Sequence, residues 1–173
     1  HLFVNPCKIH DTAILLRQEL VPFIKHIGYC DYALILVVEK DAGLPDALVS
    51  CHLPTGYTDQ TYRLAAEQTA DMVRTAKKVV GEIRHVIMGA DVNIQPSHSH
   101  RPDLIGTRSP RSTSTGRHDG LYKLMCSLEV VAANTWYNEL AILSSVGPIA
   151  DSYQDTEAFW TRAAWASIDR DAS

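Results

Sequence analysis

His85-Val86-Ile87-Met88-Gly89-Ala90-Asp91-Val92-Asn93 joins an apolar run to an aspartate and an asparagine two residues apart. The run reads as a buried strand that ends at Gly89, where a tight exit is allowed. If the extension persists beyond the glycine, the two-residue period of the pleat points Asp91 and Asn93 the same way. A carboxylate beside a neutral amide suits phosphate chemistry. The Asp can orient and deprotonate a water or hold a divalent cation, while the Asn donates to a phosphoryl oxygen without adding repulsive charge. The same Asp-x-Asn pattern also closes turns and caps helices.

Upstream lies a second strand end, Ala47-Leu48-Val49-Ser50-Cys51-His52-Leu53-Pro54. A helix is predicted between the two strands, over Asp59 to Val80. Its apolar positions Tyr62, Ala65, Ala66, Thr69, Met72, Val73, Ala76, Val79 and Val80 recur at three and four, and Thr58 or Asp59 supplies the cap. Thr12 to Arg17, Phe23 to Tyr29 and Tyr32 to Glu39 read as successive antiparallel strands, punctuated by Gly28 and by Asp41 to Pro45. Downstream, a short helix over Leu121 to Leu128 precedes strands over Val130 to Asn134 and Ala163 to Asp169. Strands paired into sheets with helices outside give a layered α/β sandwich.

A length of 173 residues and a hydrophobic fraction of 46% fit one domain. The net charge of -4 gives no overall attraction to nucleic acid. Cys7, Cys30, Cys51 and Cys126 are widely spaced, without a zinc knuckle or a disulfide framework, so a reducing compartment is expected. No apolar run reaches the ~20 residues of a membrane span. The chain is therefore expected to be intracellular, nuclear or cytoplasmic, away from membranes, and monomeric.

From Pro96 to Gly120 the sequence is rich in Ser, Thr, Arg and His and reads as a loop too polar for the core. Between Ser97 and His118, Arg101, Arg108, Arg111 and Arg117 face only Asp103, opposing the chain's overall sign. Arginine forks pair with phosphate, so these four are candidate substrate contacts beside Asp91; a solvated excursion is the plainer alternative. His98 and His100 lack a third metal ligand in the sequence around them.

Taken in order, Thr12-Ala13-Ile14-Leu15-Leu16-Arg17, Leu34-Ile35-Leu36-Val37-Val38, Val49-Ser50-Cys51-His52-Leu53-Pro54 and Gly89-Ala90-Asp91-Val92-Asn93 resemble the endonuclease/exonuclease/phosphatase superfamily, the DNase I-like metal-dependent phosphoesterases. Gly116 to Leu121 with Leu128-Glu129-Val130-Val131-Ala132-Ala133-Asn134-Thr135-Trp136, then Phe159-Trp160-Thr161 and Ser167-Ile168-Asp169, resemble its retrotransposon-type and apurinic-like members. Gly-Ala-Asp-Val-Asn stands where Gly-Asp-Phe-Asn is usual, which keeps both polar groups.

The resemblance implies a DNase I-like sandwich of two mixed, mainly antiparallel sheets with outer helices. Residues 1–173 would be a partial domain of that kind, without the family's early metal-binding Glu and its terminal Asp-His segment. It implies Mg²⁺ or Mn²⁺ as cofactor, with Asp91 as ligand and as the group that activates water. His52 and Asn93 would hold the phosphate, Asp169 would orient a terminal histidine, and Asn134 would lie near the substrate. The implied reaction is phosphodiester hydrolysis of nucleic acid, DNA first. An inactive retroelement remnant and a phosphatase for inositol phosphates or lipids are the alternatives.

Overall fold

The computed structural model describes residues 1–7, 11–40, 43–55, 58–107, 109 and 114–132, and the backbone of 162–167. Two helices pack on one face of a six-stranded sheet, and a two-stranded ribbon packs on the other. The ribbon is β1 (Leu2–Val4) with β2 (Ala13–Leu15), antiparallel. The main sheet contains β3 (Ile24–Cys30), β4 (Ala33–Val38), β5 (Asp46–His52), β6 (His85–Asp91), β7 (Val130–Ala132) and β8 (Arg162–Ser167), in the order β3-β4-β5-β6-β8-β7. All neighbours are antiparallel except β5 and β6, which run parallel because α1 (Asp59–Val80) carries the chain back between them.

β4 shows why the core has two sides. Ala33, Ile35 and Val37 pack toward the helices, while Leu36 and Val38 join Leu16, Phe3 and Ile14 beneath the ribbon. On the helix side α1 contributes Tyr62, Ala65, Ala66, Thr69, Ala70, Met72, Val73 and Ala76. The helix begins where expected: Thr58 Oγ1 accepts the Thr61 amide at 3.2 Å, and Gly81 ends it at φ 89°. Val79, counted in the expected stripe, is instead exposed at the helix's last turn.

The main sheet departs from the sequence reading at β6. The strand does not stop at Gly89 but runs through it to Asp91, in register with Ser50 on one side and Ala164 on the other. Nor is it buried on both faces. Val86, Met88 and Ala90 face the core, whereas Ile87 is 47% exposed, because the ribbon's apolar cluster reaches Leu48 of β5 but does not include Ile87.

α2 (Gly116–Leu128) also starts earlier than its apolar pattern indicates. His118 takes the place that Glu or Gln fills in a capping box. Its Nδ1 accepts the Thr115 amide at 3.1 Å, and its Nε2–H donates to the Gln95 carbonyl at 2.9 Å. The segment before α2 is not all polar excursion either. Leu104 and Ile105 are buried, Ile105 bridges to Ala132, and the Ala132 amide donates to the Leu104 carbonyl at 2.9 Å.

At the start of the parallel pair, Asp46 receives Arg84 through Nε at 3.1 Å and Nη2 at 2.7 Å, and His85 Nδ1 lies 3.0 Å away. Hydrogen bonding from Arg84, reinforced by His85, holds the Asp46 carboxyl below its ordinary range. A depressed carboxyl stabilises the fold above its unfolded pKa, and that contribution is lost as pH falls through the folded one. Asp46→Asn should therefore cost about 0.5–1 kcal/mol at neutral pH, given a largely exposed Arg84, and the gap to wild type should close as pH falls below the ordinary carboxylate range. Urea midpoints at neutral pH and below that range read this directly.

Candidate functional site

His52 is the last residue of β5 and Asp91 the last of β6, and the parallel register makes them direct partners. Adjacent strands lie ~4.8 Å apart, so two residues distant in sequence become neighbours at one sheet edge. Both alternate with core residues, Cys51 and Ala90, and so belong to the face opposite the helices; each is half-buried. Burial pushes the Cys51 thiol up to about 12, in keeping with a packing role.

The extension does not persist past Asp91. Asn93 takes a left-handed conformation at φ 51°, which asparagine tolerates. Its amide donates to Asp91 Oδ1 at 3.3 Å, and its Nδ2 donates to the Leu53 carbonyl at 2.7 Å. Leu53 in turn donates its amide to the Asp91 carbonyl at 2.9 Å, and the His52 amide donates to the Tyr32 carbonyl at 2.8 Å. The turn-closing use of Asp-x-Asn is thus realised, and it stitches the ends of β5 and β6 together. One hydrogen of the Asn93 amide is spent on Leu53; the group carries a second, and Asp91 Oδ2 takes no part in the turn.

Three side chains that the sequence reading did not single out for this edge hold the chain beyond it. Tyr62 of α1 is fully buried and donates its hydroxyl to the Val92 carbonyl at 2.7 Å. Burial drives that phenol well above its ordinary pKa, which keeps it a donor. His118 holds Gln95, as described, and the Tyr122 hydroxyl accepts the Ser97 amide at 3.2 Å. Nothing local in sequence marks these contacts, since each partner is a distant backbone group.

The arginines are placed differently from the expectation. Arg101 forks onto Asp103 at 2.8 and 2.6 Å, touches Cys126 Sγ at 3.2 Å, and lines a cavity of about 590 Å³ against α2 with His100, Tyr122 and Lys123. Arg117 pairs with Asp59 at 3.5 Å at the start of α1. Each of these two is matched with an aspartate, and neither contacts Asp91 in the hydrogen-bond or ion-pair network. Arg108, Arg111, Asn134 and Asp169 lie outside the described residues. His98 Nδ1–H donates to the Ile105 carbonyl at 2.7 Å and His100 Nδ1 meets the Tyr122 hydroxyl at 3.3 Å, so both histidines serve the loop. Among the described residues no group of three metal-ligating side chains occurs.

A ribbon opposed to a six-stranded mixed sheet with helices outside agrees with the DNase I-like fold of a solved structural neighbour. The endonuclease domain of TRAS1, a telomere-specific non-LTR retrotransposon, superposes with a TM-score of 0.51 at 12% identity, covering 98% of this chain and 67% of that one. The human Nocturnin catalytic domain with bound sulfate anion gives 0.44 at 15% identity, covering 78% and 40%, and SmcL gives 0.37 at 16%, covering 78% and 42%. The chain therefore spans about two thirds of the first neighbour and about two fifths of the others. No protein-family profile and no curated protein matches the sequence. No helix among the described residues is long and apolar enough to cross a membrane.

Proposed function

We propose that this chain carries the catalytic edge of a divalent-metal-dependent phosphodiesterase acting on nucleic acid, with DNA as the first substrate to test. One observation carries the reading: the His52–Asp91 register at the ends of two parallel strands, with Asn93 clamped beside them. The fold agrees, and the neighbour that shares it is named an endonuclease domain.

The donor set at this edge suits a hydrated Mg²⁺ or Mn²⁺ held by the single carboxylate of Asp91, and does not suit an all-protein cage. A bound cation would offset charge developing on the phosphoryl and leaving oxygens. Asp91 orients the attacking water and takes its proton. Asn93, through its remaining amide hydrogen, and His52, through its imidazole, hold the phosphate in line.

One carboxylate is a weak anchor, so calorimetric titration should give Mg²⁺ binding no tighter than roughly millimolar, abolished in Asp91→Ala. Tighter binding that survives the substitution would place the cation elsewhere. The functional assay is nicking of supercoiled plasmid with and without Mg²⁺, by the longest native polypeptide that contains this chain. Hydrolysis of inositol phosphates with none of DNA would favour a phosphatase, and no turnover of either would favour an inactive remnant.

A further inference from the structure

β3 is an outermost strand of the main sheet, with β4 on one side and no strand among the described residues on the other. The phase of its backbone follows from its neighbours. The Tyr32 carbonyl accepts the His52 amide at 2.8 Å, so Tyr32, and with it Leu34 and Leu36, turns its backbone groups toward β5. Ala33, Ile35 and Val37 then turn theirs toward β3, where Cys30, Gly28 and His26 answer them. That leaves Ile27 and Tyr29 with both N–H and C=O aimed at the free edge. Among the described residues those groups meet no hydrogen-bonding partner.

The side chains of the same two residues are open as well. Gly28 lies over Ile35 on the helix side of the sheet, so alternation puts Ile27 and Tyr29 on the other face, where they are 46% and 57% exposed. Sheet proteins close such edges with a charge, a proline, a bulge or a covering segment. Here the bulge falls between Ile24 and His26, and the one fixed charge is Lys25 beside it. From His26 to Cys30 the ladder is regular, with neither proline nor fixed charge.

We propose that β3 is a dimerisation edge, at which two copies of this chain pair antiparallel about Gly28 and join their main sheets into one. In that register the strand is complementary to itself. Ile27 comes opposite Tyr29 of the second copy, an aliphatic–aromatic pair whose backbones exchange both hydrogen bonds, and the two-fold axis repeats it. Lys25 comes level with Asp31 of the second copy, the first residue of the hairpin turn, so opposite charges close both ends of the pairing. Within its own chain Lys25 reaches only Glu39 at 3.6 Å, an exposed contact worth little. At the centre the two Gly28 residues face each other with no side chain between them. Centred on Ile27 or on Tyr29, the same strand loses its charge pairs, since Lys25 then meets Tyr29 or Asp31 meets Ile27. The match is therefore to a second copy in one register. A dimer departs from the monomer expected from the sequence, and it stands independently of the phosphodiesterase reading.

Sedimentation velocity on the longest native polypeptide that contains this chain tests the pairing. Monomer should give way to dimer with half-association between about 10 µM and 1 mM, the weak end expected of a short strand pair. Ile27→Lys, a charge placed on the open edge, should weaken association about tenfold or more. Lys25→Asp alone and Asp31→Lys alone should each stay monomeric, because each sets like charges against one another at both ends. Mixed together they should pair again, since every end contact is then Asp against Lys. Circular dichroism checks that each variant folds, and Ile27→Lys, at an already exposed position, decides the matter if Asp31→Lys does not. A chain that stays monomeric to millimolar concentration would overturn the proposal. So would a dimer that Ile27→Lys leaves intact, or folded charge variants that fail to pair on mixing.

Discussion

Tyr62→Ala should lower stability by about 3–5 kcal/mol, the range for deleting a large buried aromatic. The ring is fully buried among the α1, β-sheet and α2 residues of the main core. Tyr62→Phe isolates the hydroxyl. It leaves the Val92 carbonyl, in a residue with no exposed surface, without its donor at 2.7 Å, at a cost of about 1–3 kcal/mol. The two variants also differ in reach. Tyr62→Phe should selectively speed amide exchange at Asn93, whose N–H closes the turn one residue beyond Val92, while the β4 amides stay protected. Urea denaturation and amide exchange measure the two effects; equal loosening of both regions would show that the hydroxyl supports the fold at large and not the turn.

That contact also marks where the sequence stops being legible. α1 is legible to its end residues because a three-and-four stripe and a cap at Thr58 or Asp59 agree, and the structure adds Gly81 as its stop. α2 was readable only from Leu121, since Gly116 and Gly120 weaken the helical pattern and its first turn depends on His118 replacing the usual capping carboxylate or amide. Gly120 has a packing reason of its own: a Cβ there would meet Arg63 Cγ at 3.0 Å, so it lets α2 approach α1. Gly89 reads locally as a strand end, but the ladder to Ser50 and Ala164 overrides that local signal. Leu104 and Ile105 were hidden by the polar average of their neighbours, although two adjacent aliphatics in a polar stretch are a usable cue. At the site, His52 and Asp91 were each visible as polar ends of apolar strands. That they are partners depends on α1 returning the chain so that β5 and β6 run side by side, which is a tertiary fact. Arg101 and Arg117 show the reverse: their local excess of charge looked available for phosphate, yet Asp103 lies two residues from one, and Asp59, distant in sequence, meets the other.

Asp91 has two separable roles, and substitutions can divide them. If it activates water, Asp91→Ala in the longest native polypeptide should reduce Mg²⁺-dependent nicking by ~10²–10⁴-fold, the usual contribution of general-base catalysis. Alanine also removes the acceptor of the Asn93 amide, so some of that loss would come from a loosened turn. Asp91→Asn keeps a carbonyl oxygen for the same hydrogen bond and removes the negative charge. It should therefore match alanine in lost activity while keeping stability close to wild type, whereas alanine should cost about a further 1 kcal/mol. Asn93 requires the same care, because its φ of 51° disfavours alanine apart from any lost contact. Asn93→Gly tolerates that conformation and deletes only the amide, so its smaller loss of rate is the cleaner measure of phosphate binding. Nicking assays beside urea midpoints separate the outcomes. Wild-type activity in Asp91→Asn would reduce Asp91 to a turn-former and remove the basis of the hydrolase reading, since among the described residues its one direct register partner on β5 is His52, which carries no carboxylate.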